Sequence, residues 1–185
     1  MANIFDNIRN NAGDSAKSYT WYQDQIKRLG STRPESLLKG SSLTSTIIPG
    51  KMYLFAYDPK FKNVLPYYDK FPLVFPFRKV KGGFFGINIH YLPYLARFKL
   101  LGALTDLISS NESDDTKLNL SWRILVASSK FSAAQACVKH YLTQHIESRF
   151  LNIPYQDWLT ASQLPIERFV GADKSQVWRD SKAKY

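Results

Sequence analysis

Hydrophobic and polar residues alternate in the manner of β-strands between residues 49 and 93. Residues 51–57 place Met52, Leu54 and Ala56 on one face and three aromatic rings on the other. Large side chains on both faces predict a strand that is covered on both sides, or one that keeps a face for a contact. This stretch is therefore expected to form the centre of the fold.

A second strand and a hairpin follow in the same stretch. Residues 71–80 have strand character, but their two prolines cannot donate to a ladder, which predicts a sheet edge or a bulge. Adjacent glycines in residues 81–83 predict a tight turn. Residues 84–91 form the expected returning strand, in which Gly86 predicts a close approach of backbone or a bulky side chain.

The N-terminal region shows helical spacing instead. Residues 15–29 carry apolar side chains about every fourth position, which predicts a helix that Asp14 or Ser15 caps and a glycine ends. Residues 34–39 predict a short helix with a proline near its start. Residues 1–13 are predicted to be a loose arm with one small apolar patch.

The pattern is helical again after the central stretch. Three-four spacing predicts a helix over residues 95–109, and residues 118–127 are predicted as a short helix in preference to a strand. A longer helix is predicted over residues 133–150, and two shorter helical segments are expected beyond residue 154. The second half of the chain is therefore expected to be mainly helical.

Together these elements predict an α+β fold. It consists of a small antiparallel β-sheet or partial barrel with a helical C-terminal half and a helical N-terminal arm. A chain of 185 residues can bury one good core and is short for two. The expected division is an N-terminal arm with short helices over residues 1–46 and a single α+β domain over residues 47–185.

Positive charge is concentrated in the same central stretch. The formal net charge is +10, and residues 51–100 hold nine basic and two acidic side chains. A local positive field of this kind attracts polyanions and speeds encounter with them. The alternative is a solvated basic face that keeps the protein soluble or pairs with an acidic protein neighbour.

Other features of the sequence exclude whole classes of protein. The N-terminus has no apolar run typical of a secretory signal, and no stretch is long and apolar enough for a membrane span. The single Cys137 excludes an intrachain disulfide. We expect synthesis in the cytoplasm of the cell that makes the protein and no membrane partner.

Isolated titratable residues give only weak candidates for catalysis or metal binding. His140 and His145, placed on the predicted helix, point about 140° apart and make a poor chelating pair. Cys137 is interpreted as a small core residue. A magnesium site at Asp58 and Asp69 is an alternative, but their turn contexts favour ordinary ion pairs, with Asp69 paired to a neighbouring lysine or arginine. No catalytic residue, cofactor or metal site is predicted.

Basic and aromatic residues interleave in the central stretch, and this is the feature with chemical specificity. Aromatic rings that stack bases beside lysines that meet phosphates suit single-stranded nucleic acid, and a basic hairpin suits the duplex backbone. The alternative is that most of these rings are core. The predicted contacts to nucleic acid or a protein partner are Arg78, Lys79, Lys81, Lys60, Lys62 and Lys70.

Three segments of the sequence resemble those of a known protein family. They are YYDKFPLVFPF at residues 67–77, GFFGINIHYLP at 83–93 and LPIERFVGADKSQVWRDSKAKY at 164–185. They resemble a family of virion-associated structural proteins of large contractile-tailed bacteriophages, some of which are labelled DNA end protectors. The resemblance runs from about Pro49 to the C-terminus, without the first forty residues, and transfers no catalytic residue.

The resemblance implies a non-enzymatic component of a tailed-phage virion. Its main predicted role is structural or in assembly, at the head, neck, tail or baseplate, by docking to other virion proteins in a symmetric multi-subunit assembly. The alternative is a DNA-binding protein that protects or contacts packaged genome ends. A third hypothesis, a nuclease that uses Asp58 and Asp69, has no motif in its support.

Overall fold

The computed structural model describes residues 4–40, 42–108, 113–130 and 132–182. The helices are α1 (Ile4–Ala12), α2 (Tyr19–Leu29), α3 (Pro34–Leu37), α4 (Tyr94–Ile108), α5 (Asp114–Ser128), α6 (Ser132–Gln135), α7 (Trp158–Gln163) and α8 (Lys174–Lys182), with 3-10 turns at Ile89–Tyr91, Thr143–His145 and Tyr155–Asp157. The strands are β1 (Leu43–Thr44), β2 (Met52–Leu54), β3 (Tyr68–Asp69), β4 (Leu73–Val80), β5 (Gly83–Asn88), β6 (Val138–Leu142), β7 (Phe150–Ile153) and β8 (Phe169–Val170). The predicted α+β class is confirmed.

Six strands form one antiparallel sheet in the order β1-β7-β2-β4-β5-β6, and β3 pairs with β8 separately. The second strand is predicted to lie at a sheet edge or beside a bulge, and the edge is not observed, because β4 lies between β2 and β5. The predicted bulge is confirmed, since the register with β5 shifts between Pro76 and Arg78. A proline is tolerated inside the sheet where the ladder is already irregular.

The hairpin between β4 and β5 forms as predicted. Gly82 occupies the turn with a φ of 78°, a conformation that side chains other than glycine rarely adopt. Gly86 lies at a close approach, because a Cβ built there would stand 2.3 Å from Cγ1 of Val74. The returning strand is shorter than expected, and its last three predicted residues form a 3-10 turn, Ile89–Tyr91.

The predicted helix over residues 133–150 is wrong. Only Ser132–Gln135 is helical there, and the chain continues as β6, a 3-10 turn and the start of β7. Valine, tyrosine and leucine in β6 suit a strand as well as a helix, and antiparallel pairing with β5 decides between them. This correction adds β6 and β7 to the three predicted strands and places β6 at an edge of the sheet.

Both faces of the sheet are covered, which confirms the first of the two alternatives for residues 51–57. Met52 and Leu54 belong to the main core, which also contains residues from β4, β5, β7 and several helices. Tyr53, Phe55 and Tyr57 lie in a second cluster with rings from β5, β6 and β7. Most aromatic residues of the central stretch are therefore core, as the alternative interpretation held.

The N-terminal helices pack on the main core. Phe5 and Ile8 of α1 are buried in it, so the predicted loose arm is wrong for Ile4–Ala12. Ser18 caps α2 in place of the predicted Asp14 or Ser15, by accepting a hydrogen bond from the Trp21 amide. The division of the chain at residue 46 stays a prediction.

The helical expectations for the rest of the chain largely agree with the structure. Helix α4 matches the predicted helix over residues 95–109 up to Ile108, and α5 is longer than the short helix expected within it. In the described part of the chain no helix is long and apolar enough to cross a membrane.

A buried arginine joins the C-terminal helices to the end of the sheet. The Arg97 guanidinium, on α4, is fully buried and donates to the backbone oxygens of Leu92, Ser162 and His90 at 2.7, 3.0 and 3.0 Å. It also faces the Glu167 carboxylate at 3.4 Å. Because a buried charge without partners is costly, these bonds fix the position of α4 relative to the sheet and α7.

Glu167 should make the stability of the fold depend on acid pH. Burial raises the pKa of its carboxyl, but Arg97 and the Tyr94 hydroxyl outweigh burial and lower the pKa from 4.5 to about 2. Because the pKa of Glu167 is lower in the folded protein than in the unfolded chain, its ionised carboxylate stabilises the fold above pH 4.5. This contribution is lost as the pH falls towards 2. We expect Glu167→Gln to cost about 3 kcal/mol at pH 7 and almost nothing near pH 2, as measured by urea unfolding.

Glu35→Gln on the exposed surface of α3 is the matched control and should change little at either pH. If Glu167→Gln destabilised the protein equally at both pH values, the carboxylate would not be the stabilising group.

Candidate nucleic-acid interface

The β4–β5 hairpin exposes three of the predicted contact residues. Arg78 and Lys79 end β4, and Lys81 begins the turn, and all three side chains are exposed. No carboxylate in the described part of the chain pairs with any of them. Consecutive strand residues point to opposite faces, so the hairpin carries positive charge on both sides.

A row of three side chains crosses the sheet from Arg78. The register aligns Arg78 with Phe85 and Phe85 with His140, so the three share one face. The Arg78 guanidinium lies 4.4 Å from the centre of the Phe85 ring, and the His140 ring stacks on Phe85 at 4.6 Å and 10°. These contacts hold Arg78 against the sheet, which lowers the entropy lost when it binds an anion.

A groove between this row and helix α5, which we call the α5 groove, has a volume of about 340 Å³. Trp122 forms its far wall, half exposed, with its indole nitrogen donating to the Phe77 oxygen at 2.8 Å. The residues that line it are Phe77, Arg78, Phe85, Trp122, Val126, Ser129, Lys130 and Val138. The α5 groove therefore combines two cations with the exposed Trp122 ring and the half-buried Phe85 ring.

A second groove follows the outer edge of β6, and we call it the β6 groove. Its volume is about 330 Å³, and its opposite wall is the chain from Pro59 to Tyr68. Lining residues are Tyr57, Pro59, Lys60, Phe61, Leu65, Tyr67, Tyr68, Asp69, Asn88, Tyr91 and all five residues of β6. Burial raises the pKa of Tyr57, Tyr91 and Tyr141, so these phenols remain neutral and add no negative charge.

The remaining predicted contacts are placed differently from one another. Lys60 lines the β6 groove, whereas Lys62 points its ammonium to the Asp58 carboxylate at 2.7 Å. Lys70 is exposed, but it lines neither groove, and its ammonium stands 6.0 Å from the Phe71 ring. Among the predicted residues, the structure thus brings Arg78 to the α5 groove and Lys60 to the β6 groove.

The two grooves and the hairpin adjoin one another along β6. Val138 lines both grooves, and at the other end of β6 the Thr143 amide donates to the Gly82 oxygen in the hairpin turn. We define the basic strip as the cations along this path. Its members are Arg78, Lys79, Lys81, Lys60, Lys130 and Lys139.

Sequence reasoning missed Lys130, Lys139 and His140 as members of this surface. All three fall in or beside the segment predicted as a helix, where they would have been separated from the hairpin. The only local signal for a strand is the β-branched and aromatic content of residues 138–142, Val138 and Tyr141, which does not by itself exclude a helix. Pairing of this strand with β5 brings Lys139 opposite Gly86 and His140 opposite Phe85.

Asp69 does not make the ion pair with lysine or arginine that its sequence context predicts. Its buried carboxylate lies 2.7 Å from Nδ1 of His90 and accepts hydrogen bonds from Asn88 and from the amides of Phe71 and Arg168. Asp69 and His90 are 21 residues apart in the sequence, so no local pattern predicts their contact. Because four donors occupy the carboxylate, Asp69 organises the loop and strand ends around it.

Other candidate groups also have structural roles. Asp58 pairs with Lys62, and its backbone oxygen lies 3.0 Å from Nδ1 of His145. Cys137 is buried, which confirms its interpretation as a core residue, and burial raises its pKa to about 11. Within the described residues no three histidine, cysteine or acidic side chains form a group able to hold a metal ion.

The fold and its grooves together define a small basic α+β protein that presents lysines and aromatic rings along one edge of its sheet. The family described as phage T4 terminal DNA protecting protein matches residues 2–183. The chain belongs to this family. The resemblance predicted from the sequence is confirmed, and it extends further than predicted, because the match includes the first forty residues.

Searches of curated proteins and of solved structures each found no significant match. The family description names the protection of DNA and no reaction. Of the two roles predicted from the sequence, it supports the alternative, DNA-end protection, better than structural docking.

Proposed function

We propose that this protein binds the ends of phage DNA through its basic strip and shields them without catalysing a reaction. The observation that carries this proposal is the family match over residues 2–183, because the family is described by the protection of terminal DNA. A protein of the virion or of the infected cell fits this role.

The charges on the surface support DNA as the partner. Phosphate contacts from lysine and arginine supply most of the affinity that does not depend on sequence. Arg78, Lys79 and Lys81 are exposed and have no carboxylate partner among the described residues, so their charges remain available to phosphates. An interface of this kind recognises the backbone of any DNA, which suits a protector of ends.

The absence of catalysis is part of the same proposal. Asp58 and Asp69, the carboxylates of the nuclease hypothesis, are engaged with Lys62 and with four donors around His90 respectively. Nucleases that use metal ions need carboxylates that are free to bind them. Docking at the head, neck, tail or baseplate and a symmetric assembly stay predictions.

An exonuclease assay tests the proposal. Purified protein is mixed with linear duplex DNA in low salt, and a processive double-strand exonuclease is then added. We expect the DNA to survive in proportion to the protein added, with survival lost as salt rises, because salt weakens phosphate contacts. Degradation at the same rate with and without the protein would overturn the proposal.

A further inference from the structure

The β6 groove has the chemistry of a site for unpaired nucleotides. We infer that it binds the terminal unpaired nucleotides of a DNA strand, while the rest of the basic strip contacts the duplex. This inference rests on the proposed function, because it concerns the form of DNA end that the protein recognises. It assigns a distinct task to residues that duplex binding alone does not require.

Aromatic rings dominate the walls of the groove. Tyr57, Tyr91 and Tyr141 form its inner part, and Tyr67, Tyr68 and Phe61 continue outward along the opposite wall. Phe61 is 58% exposed, so its ring is not explained by core packing. Stacking of a base on an exposed ring is the commonest way in which proteins hold single-stranded DNA, and it tolerates any sequence.

Cations stand where the phosphates of a stacked strand would lie. The Lys60 ammonium is 5.3 Å from the centre of the Phe61 ring at the outer end of the groove. On the opposite side the Lys139 ammonium lies 3.9 Å from the centre of the Tyr91 ring. Asp69 is the one acidic residue among the lining residues, and its carboxylate is occupied by the His90, Asn88 and backbone donors.

The edge of β6 adds hydrogen-bonding groups. The backbone amide of Asn88 donates to the Cys137 oxygen, and that of Thr143 donates to the Gly82 oxygen. In an antiparallel pair every second residue forms hydrogen bonds to the partner strand, so within β6 the residues whose backbone groups bond to β5 are Lys139 and Tyr141. The backbone groups of Val138 and His140, two residues that line the groove, consequently point away from β5. The Leu142 amide, which also faces outward, donates to the Tyr57 hydroxyl at 3.2 Å. Outward amides and carbonyls suit the edge of a base, which carries both donors and acceptors.

The size of the groove favours an unpaired strand over a duplex. A volume of about 330 Å³ is at the lower end for small-molecule sites, which are roughly 300–1,000 Å³. Such a space accepts one nucleotide or a short stretch of single strand and is too small to enclose a double helix. The hairpin cations at the end of β6 then lie next to the groove, in position for the adjoining duplex.

Binding to matched DNA ends tests this inference. A blunt hairpin duplex and the same duplex with four unpaired nucleotides, on the 3′ or on the 5′ strand, are titrated with the full chain in one buffer. We expect at least one overhang to bind about tenfold more tightly than the blunt end, the effect of one stacked base. Phe61→Ala should remove most of that preference, because a blunt end offers no unpaired base to its ring.

Val64→Ala is the matched control. Val64 belongs to the same loop and is 78% exposed, but it does not line the groove, so its removal should leave the preference intact. A 2-aminopurine in the overhang gives a second readout, because its fluorescence falls when it stacks on an aromatic ring. We expect this quenching with the wild type and Val64→Ala and much less with Phe61→Ala.

The outcomes separate this inference from the proposed function. Equal binding of blunt and overhanging ends would overturn the groove assignment and leave end binding standing. A preference that Phe61→Ala does not change would also overturn it. Failure to bind any of the DNA forms would overturn the inference and the proposed function together.

Discussion

Charge reversal at the hairpin, Lys79→Glu with Lys81→Glu, is expected to weaken binding of linear duplex DNA about tenfold or more at 0.1 M salt. Each lysine that meets a phosphate releases a counterion, so the slope of log affinity against log salt should fall by about 2. Both side chains are exposed, and no carboxylate among the described residues forms an ion pair with either of them. The fold should therefore tolerate the change. A salt-titrated anisotropy measurement checks the affinity and the slope.

The matched control carries the same change of charge elsewhere on the surface. Lys27 on α2 and Lys39 after α3 are exposed, and neither lines a groove near the hairpin. Lys27→Glu with Lys39→Glu should therefore lose much less affinity, through the change in net charge alone. If both double variants weakened binding equally, overall charge and not the basic strip would account for the affinity.

Gly83→Ala is expected to lower the stability of the fold strongly. A Cβ built at Gly83 would stand 2.1 Å from the backbone oxygen of Tyr141 and 3.1 Å from its carbonyl carbon. Backbone of a paired strand cannot move aside as a flexible side chain can, so β6 would have to separate from β5 at this point. We expect a loss of about 3 kcal/mol or more in the free energy of unfolding, measured in urea.

Gly102→Ala is the control for this substitution. Gly102 lies within α4, and apart from the helix's own backbone and the two neighbouring residues no described atom stands within 4 Å of a Cβ built there. Alanine in a helix should stabilise the protein by about 0.5–1 kcal/mol, so the two glycines should change stability in opposite directions. If Gly83→Ala left the free energy of unfolding unchanged, the pairing of β6 with β5 would be contradicted. That result would agree with the helix predicted for residues 133–150.

Local signals in the sequence were sufficient for the central hairpin and for most helices. Glycine at residues 82 and 86, alternation in β2 and the spacing in α4 each depend on neighbouring residues, and such patterns can be recognised without knowledge of the fold. The first helix is different. Its apolar patch at Phe5 and Ile8 is too short to predict helix by itself, and burial on the main core stabilises it.

The surface of the candidate site could be predicted only in part. Arg78, Lys79 and Lys81 stood out because charge and a turn coincide there, but the rest of the surface depends on contacts between residues far apart in sequence. His140 reaches Phe85 only through the register of β5 and β6, and Lys60 faces β6 across the groove. A segment whose apolar positions fit both a helix and a strand does not reveal such contacts.

The exonuclease assay gives the most direct test of DNA-end protection when the wild type and the two double variants are compared side by side. On one linear duplex at low salt, we expect protection by the wild type and by Lys27→Glu/Lys39→Glu, and rapid degradation with Lys79→Glu/Lys81→Glu. Ends that the hairpin variant protects as well as the wild type would contradict the role of the basic strip. Ends that the wild type itself fails to protect would contradict the proposed function.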